Sequence, residues 1–252
     1  MASILQSRWL GVISYACILG AWEAACDLGW VNRVLLPPPS GILPVLRDIL
    51  ASGAFIVPLG QTLLLLFAGY AIACILGIAL GLAMGTSQRI ENLFEPLVEL
   101  IRPIPKPALV PPLFLFLGLG ATMKTTVVAI GAFFPVLIST IQGVRGVDPV
   151  ALDTARTFGC PPLRTIFKVV LPASLPIILI GMRVSLGLGL ILVVLAEMLA
   201  GQGGLGFLIL DMQRSFEVKE MYAWIVILAV IGLGLNAVFE AVETKVVPWR
   251  SK

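Results

Sequence analysis

Apolar residues fill long stretches of this chain, separated by short charged or proline-rich segments. A bilayer core of about 30 Å needs roughly 20 mostly apolar residues per helical crossing, and six stretches meet that need. They run from about Trp9 to Gly29, Leu59 to Gly85, Leu97 to Leu119, Thr125 to Val144, Pro176 to Leu199 and Met221 to Val247. The third is interrupted by Pro103, Pro105, Pro107, Pro111 and Pro112, each of which removes a helix hydrogen bond. Broken backbone is tolerated at membrane depth where protein or water satisfies it. Residues 102–112 therefore have two readings: a lining of the inner path, with Pro105 among its residues, or a plain loop before a short helix. The first stretch reads as a membrane helix and not as a cleaved leader. Its basic flank is Arg8 alone, and Glu23 and Asp27 lie at its far end, Glu23 in a position before Cys26 where a lipoprotein cleavage site wants an apolar residue.

Composition agrees with lipid as the solvent. With 59% hydrophobic and 12% charged residues and a mean hydropathy of +1.04, 252 residues cannot bury their apolar side chains in one water-soluble core. The expected fold is an all-α membrane protein with six transmembrane helices. Residues 1–58 carry the N-terminal helix and an external segment, and residues 59–252 form the core.

Six crossings put both termini on one side. With the ends inside, Arg8, Arg89, Arg102, Lys106, Arg145, Arg156, Arg164, Lys168, Lys245, Arg250 and Lys252 are cytoplasmic, and Arg33, Arg47, Lys124, Arg214 and Lys219 are outside. That bias is the one the positive-inside rule expects, so both termini are read as cytoplasmic. The same bias accounts for the net charge of +3 without a nucleic-acid surface. Cys17, Cys26, Cys74 and Cys160 form no C-x-x-C pair and read as small packed side chains. There is no histidine, no phosphate-binding G-x-x-x-x-G-K loop, no G-x-S-x-G elbow and no metal-ligand spacing, which argues against an enzyme.

The longest polar insertion between apolar stretches is DPVALDTARTFGCPPLRTIFKVVLPASLP, residues 148–176, within a loop spanning 145–175. Asp148 suits an N-cap, Pro149 the first helical position and Gly159 a C-terminal stop. Pro161 and Pro162 suit the start of a second helix, which is expected to end or kink around Pro172. Val150, Thr154 and Phe158 recur at helical spacing, flanked by Ala151 and Ala155, and make a compact apolar face. Two readings follow: the face lies in a groove of another protein, or it folds back on its own bundle.

At this segment the chain resembles a known family. Asp153-Thr154-Ala155, Gly159 and then Leu171-Pro172 resemble the "EAA" loop of ABC importer permeases, with Asp153 in place of Glu, Thr154 in place of Ala and a Pro161-Pro162 pair as departures. LLPPPSGIL (35–43), RPIPKPALVPPLFLFLGLG (102–120), GAFFPVLISTIQGVRGVDP (131–149), AEM (196–198) and GLGFLILDM (204–212) are similar to the nitrate, sulfonate, taurine and bicarbonate branch. The resemblance implies the type I importer permease fold in a bacterial inner membrane. It also implies a homodimer, two cytoplasmic ATP-binding subunits and a periplasmic or lipid-anchored solute-binding protein. ATP and Mg²⁺ would bind the partner ATPase and no cofactor this chain. Asp153, Thr154, Ala155, Phe158 and Gly159 become the expected ATPase-coupling residues, and the solute a small anion.

Other residues keep two readings each. Gly69, Ala73, Gly77, Gly81 and Gly85 recur every fourth position, a spacing that permits close helix contact within the bundle or at a dimer interface. Glu197 is a gate or path residue, or a structural hydrogen-bonding acid; Arg183 is too far along the helix to be its partner. Ser185, with Gly181, Gly187 and Gly189, lines a path or packs against a neighbour. The competing functional class is a secondary transporter or channel driven by an ion gradient, which often shows inverted repeats; the two halves of this chain show none.

Overall fold

The computed structural model describes residues 8–248, and among these every regular element is helical. Helix α1 spans Arg8–Asp27, α2 Pro39–Ser52, α3 Ile56–Thr86 and α4 Gln88–Ile101. A 3₁₀ turn, Lys106–Leu109, leads into α5 (Val110–Leu117), followed by α6 (Ala121–Arg145). Two short helices, α7 (Pro149–Thr157) and α8 (Pro162–Thr165), precede a π-turn at Ile166–Val170 and α9 (Leu171–Ala200). The chain closes with α10 (Leu205–Arg214) and α11 (Val218–Val246).

Five helical stretches are long and apolar enough to cross a bilayer, and a bent pair, Gln88–Ile101 with Lys106–Leu117, makes a sixth if counted as one span. The pair turns through 88° at residues 102–105, where Pro103 and Pro105 remove the hydrogen bonds a straight helix would need. The expected third crossing is therefore a broken one. The fifth starts earlier than its apolar run suggests, because Pro162–Ala200 forms one helical stretch of 39 residues. The helix expected to end or kink around Pro172 does not end there; its irregularity is a π-turn just before it. The π-turn ends at Val170, immediately before Leu171-Pro172, so the hydrogen-bond register has already shifted where the proline arrives and the helix continues.

The heart of the fold is α3, α6 and α9. Lipid tails are as apolar as leucine, so helices in a bilayer associate through close packing more than through escape from solvent. The glycine stripe of α3 supplies that closeness. A Cβ on Gly69 would stand 2.6 Å from the Thr125 carbonyl oxygen, and one on Gly85 2.7 Å from Val144 Cβ. Ala73 and Gly77 between them are buried too. The stripe thus packs α3 on α6 inside one chain. Around this seam Leu66, Val128, Leu186 and Val193 form one buried cluster, and Met123, Val127, Leu192 and Ala196 another. Helices α1 and α11 bury few residues of their own. They meet through the Trp22 and Tyr222 rings, centroids 6.1 Å apart.

Candidate functional site

At one end of α9, Glu197 is wholly buried and its partners all come from the chain. The Thr62 hydroxyl donates to both carboxylate oxygens at 2.9 and 3.0 Å, and the Gly206 N–H donates to Oε2 at 2.9 Å. Thr62 in turn accepts from the Leu205 N–H at 3.0 Å, and Gln61 accepts from the Gly204 N–H at 2.9 Å. These donors are the first N–H groups of α10, which a helix cannot satisfy internally, and a carboxylate there also meets the positive end of the helix dipole. Gly203 and Gly204 adopt φ of +96° and +93°, and a Cβ on Gly204 would overlap the Glu197 carboxylate. Lys124, buried on α6, is within electrostatic reach of Glu197. Of the two readings for Glu197, the geometry supports a structural acid that ties α3, α9 and α10 together.

Arg183 is not its partner; it pairs with Glu243 of α11. Ser185 is buried, and its hydroxyl donates to the Ala132 carbonyl at 2.6 Å. Of its two readings this geometry supports packing, because the hydroxyl is spent on the α6–α9 seam. Gly181 belongs to the same seam, where a Cβ would collide with Ser139. Gly187 has nothing within 4 Å of its missing Cβ.

Midway along α6 and α9 lies a cavity of about 360 Å³ lined by Arg102, Lys106, Phe134, Ser139, Gly181 and Leu188, among others. The 88° bend carries Arg102 and Lys106 there. Pro105 sits exposed between them as the residue that starts the 3₁₀ turn. The Lys106 ammonium donates to the Ile101 and Arg102 carbonyls at 3.0 and 3.1 Å and lies 4.3 Å from the centre of the Phe134 ring. Arg102 and Lys106, counted by sequence among the cytoplasmic charges, thus line a cavity beside α6 and α9. The signal that could have placed them is the proline spacing itself, since a broken span turns its flanking charges toward the bundle.

The loop at the opposite end of α9 from Glu197 is built as its punctuation suggests. The Asp148 carboxylate accepts from the Val150 N–H at 2.9 Å, and Gly159 takes φ +65°. Its N–H reaches the Arg156 carbonyl, and the Cys160 N–H the Ala155 carbonyl, both at 2.9 Å, which closes the helix with a Schellman motif. Val150 and Phe158 are 68% and 85% exposed, and Thr154 is exposed beside them. Asp153 pairs with Arg156 at 3.0 Å on the surface. Ala155, however, is 8% exposed, so its place on the outward face is corrected. Helix phase turns it toward the bundle, where Leu152 packs on Val144, Val147 and Val170.

Residues 73–252 match the model of the family described as "Binding-protein-dependent transport system inner membrane component". A Bacillus subtilis (strain 168) relative, assigned to aliphatic sulfonates transport as the permease protein SsuC, is 32% identical over 244 residues, 96% of this chain and 88% of that protein. The taurine transport system permease protein TauC of Escherichia coli (strain K12) is 30% identical over 264 residues, 98% of this chain and 94% of its own. The inward-facing MetNI methionine ABC transporter superposes with a TM-score of 0.67 at 17% identity, over 76% of this chain and 95% of the other, a likeness of fold.

Proposed function

Since this chain belongs to the binding-protein-dependent transport system inner membrane component family and is the permease subunit of an ABC importer, we propose that it imports a small organic sulfonate as a homodimer driven by two cytoplasmic ATP-binding subunits. The ion-gradient alternative falls away with that membership. A solute-binding protein outside the membrane delivers the sulfonate, and ATP and Mg²⁺ are held by the partner ATPase. Both termini face the cytoplasm. Arg89, Arg145, Arg156, Arg164, Lys168 and Lys245 still outweigh the basic residues of the other side once Arg102 and Lys106 are set apart. Residues 59–252 form the permease core, with α1 and α2 as an addition at its edge.

The observation that carries the coupling role is the outward face of α7. Its ends are capped by the chain's own groups, yet Val150 and Phe158 stay exposed on a helix too short to be stable alone in water. A capped, rigid projection with an unpartnered aromatic suits a groove on another protein. ATP binding draws the two ATPases together, moves both α7 helices and rocks the spans outward, and hydrolysis returns them. The solute class is supported by the sulfonate and taurine relatives.

The test is reconstitution of the chain with its ATP-binding subunits and binding protein in proteoliposomes. ATP-dependent uptake of taurine or ethanesulfonate is expected, with no ATP hydrolysis by the purified chain alone. Hydrolysis by the contaminant-free chain would remove the division of labour. ATP-dependent uptake that ignores both sulfonates would remove the solute class.

A further inference from the structure

We propose that the cavity formed by Arg102, Lys106, Phe134 and Ser139 is an anion subsite that takes the sulfonate group of the solute in transit; the inference rests on the solute class given above. The cavity, at about 360 Å³, falls within the range of roughly 300–1,000 Å³ typical of small-ligand clefts. It lies against the middle of α6 and α9, away from the charged ends of both helices. Ionisable groups at such depth are costly and mark substrate paths where the protein does not pair them.

The bundle's other arginines at this seam are paired. Arg145 meets Glu91 and Arg183 meets Glu243. No carboxylate among the described residues lies within ion-pair distance of Arg102 or Lys106, and none lines the cavity. Lys106 has part of its charge committed to the last carbonyls of α4, where a cation complements the helix end. Arg102, exposed and without an ion pair among the described residues, lines the cavity beside it. A planar guanidinium donates two parallel hydrogen bonds to an oxyanion, and Ser139 adds a hydroxyl donor. Phe134 and Leu188 supply an apolar wall for the short carbon chain of an alkanesulfonate. The arrangement favours an anion with a small apolar tail over a cation or a neutral solute of the same size.

The test measures equilibrium binding of radiolabelled ethanesulfonate to the permease assembled with its ATP-binding subunits in nanodiscs, without nucleotide and without the binding protein. Choline serves as a cation control. Wild type is expected to bind ethanesulfonate and not choline, and inorganic sulfate to displace the label. Arg102→Gln should weaken binding about tenfold or more, as loss of a charge-assisted contact does. Arg102→Lys, which keeps the charge and loses the two-pronged geometry, should recover part of it. Thermal unfolding of both variants should match wild type. If Arg102→Gln is itself unstable, the sulfate and choline competitions on wild type decide. The site is overturned by unchanged binding in a folded Arg102→Gln, by choline competing as well as sulfate, or by no anion binding to wild type. Uptake by the full transporter is scored separately. Sulfonate uptake with an unaffected Arg102→Gln overturns this site and leaves the import function standing. Anion binding at Arg102 without sulfonate uptake does the reverse.

Discussion

Glu197 and Arg102 are both charged residues placed beside apolar helices, and the chain treats them oppositely. Glu197 is buried, and Thr62 and Gly206 saturate its carboxylate while the same group closes the start of α10. Arg102 lines an open cavity and meets no carboxylate among the described residues. A buried charge with every partner inside the chain acts on the fold, because removing it leaves those partners unsatisfied. A charge the chain leaves facing space acts on whatever enters that space. A charge beside apolar helices is the shared signal; what separates the two is burial, Glu197 enclosed and Arg102 exposed, and with it the count of internal partners.

The sharpest way to break this contrast is to remove Glu197. Glu197→Leu strands the Gly206 N–H and the Thr62 hydroxyl in an apolar seam, and each stranded donor costs about 1–3 kcal/mol. Folded yield and thermal stability in detergent are expected to fall together with uptake, by about 3 kcal/mol or more in stability. Glu197→Gln keeps one acceptor and should lose about half as much. A Glu197→Leu protein that melts like wild type but no longer transports would make Glu197 a gate, and the contrast with Arg102 would collapse.

A smaller effect separates packing glycines from free ones on α9. Gly181→Ala drives a Cβ into Ser139, and overpacking of that kind costs about 1–3 kcal/mol. Gly187→Ala meets nothing within 4 Å and gains helix propensity, so it should be neutral or stabilising by up to about 1 kcal/mol. Equal melting temperatures for the two variants, read by scanning calorimetry or dye-based unfolding, would mean that the α6–α9 seam is looser than its geometry.

Much of this was legible in the pattern of residues. Five spans, the caps at Asp148 and Gly159, the small-residue stripe on α3 and the misfit between Arg183 and Glu197 follow from periodicity, turn chemistry and helix geometry, which are local. The α3 partner of Glu197 was not, because Thr62 lies on a distant span and nothing local marks which face of α3 it occupies. The place of Arg102 and Lys106 at the cavity was lost for a related reason. A proline-rich segment announces a break, but not the size or direction of the 88° turn that brings Arg102 and Lys106 to the cavity. Ala155 was placed on the wrong side of α7 because a nine-residue helix has no strong apolar phase: Ala155 shares a face with Ala151 but stands well round the helix from Val150, and only the bundle decides which face it covers.

That ambiguity gives the last and smallest effect on stability, and it carries the contrast to the cytoplasmic loop. Ala155 is buried and Phe158 is exposed on the same short helix, so the two should fail differently. Ala155→Glu would put an unpaired charge against the bundle and is expected to unseat α7, lowering the melting temperature by the equivalent of about 1–2 kcal/mol and releasing the ATPase as a consequence. Gly159→Val belongs with it, since a β-branched residue is strained at φ +65°. Phe158→Ala removes a ring that is 85% exposed and buries little inside the chain. Its melting temperature should stay within the equivalent of about 0.5 kcal/mol of wild type, while co-purification of the ATP-binding subunits weakens or their hydrolysis runs without uptake. Arg156→Ala removes only an exposed pair with Asp153, worth about 0–1 kcal/mol, and should change neither measurement. Full ATPase association and coupled uptake in Phe158→Ala would mean that the exposed ring is not the contact, and the coupling surface would have to be sought elsewhere on the loop.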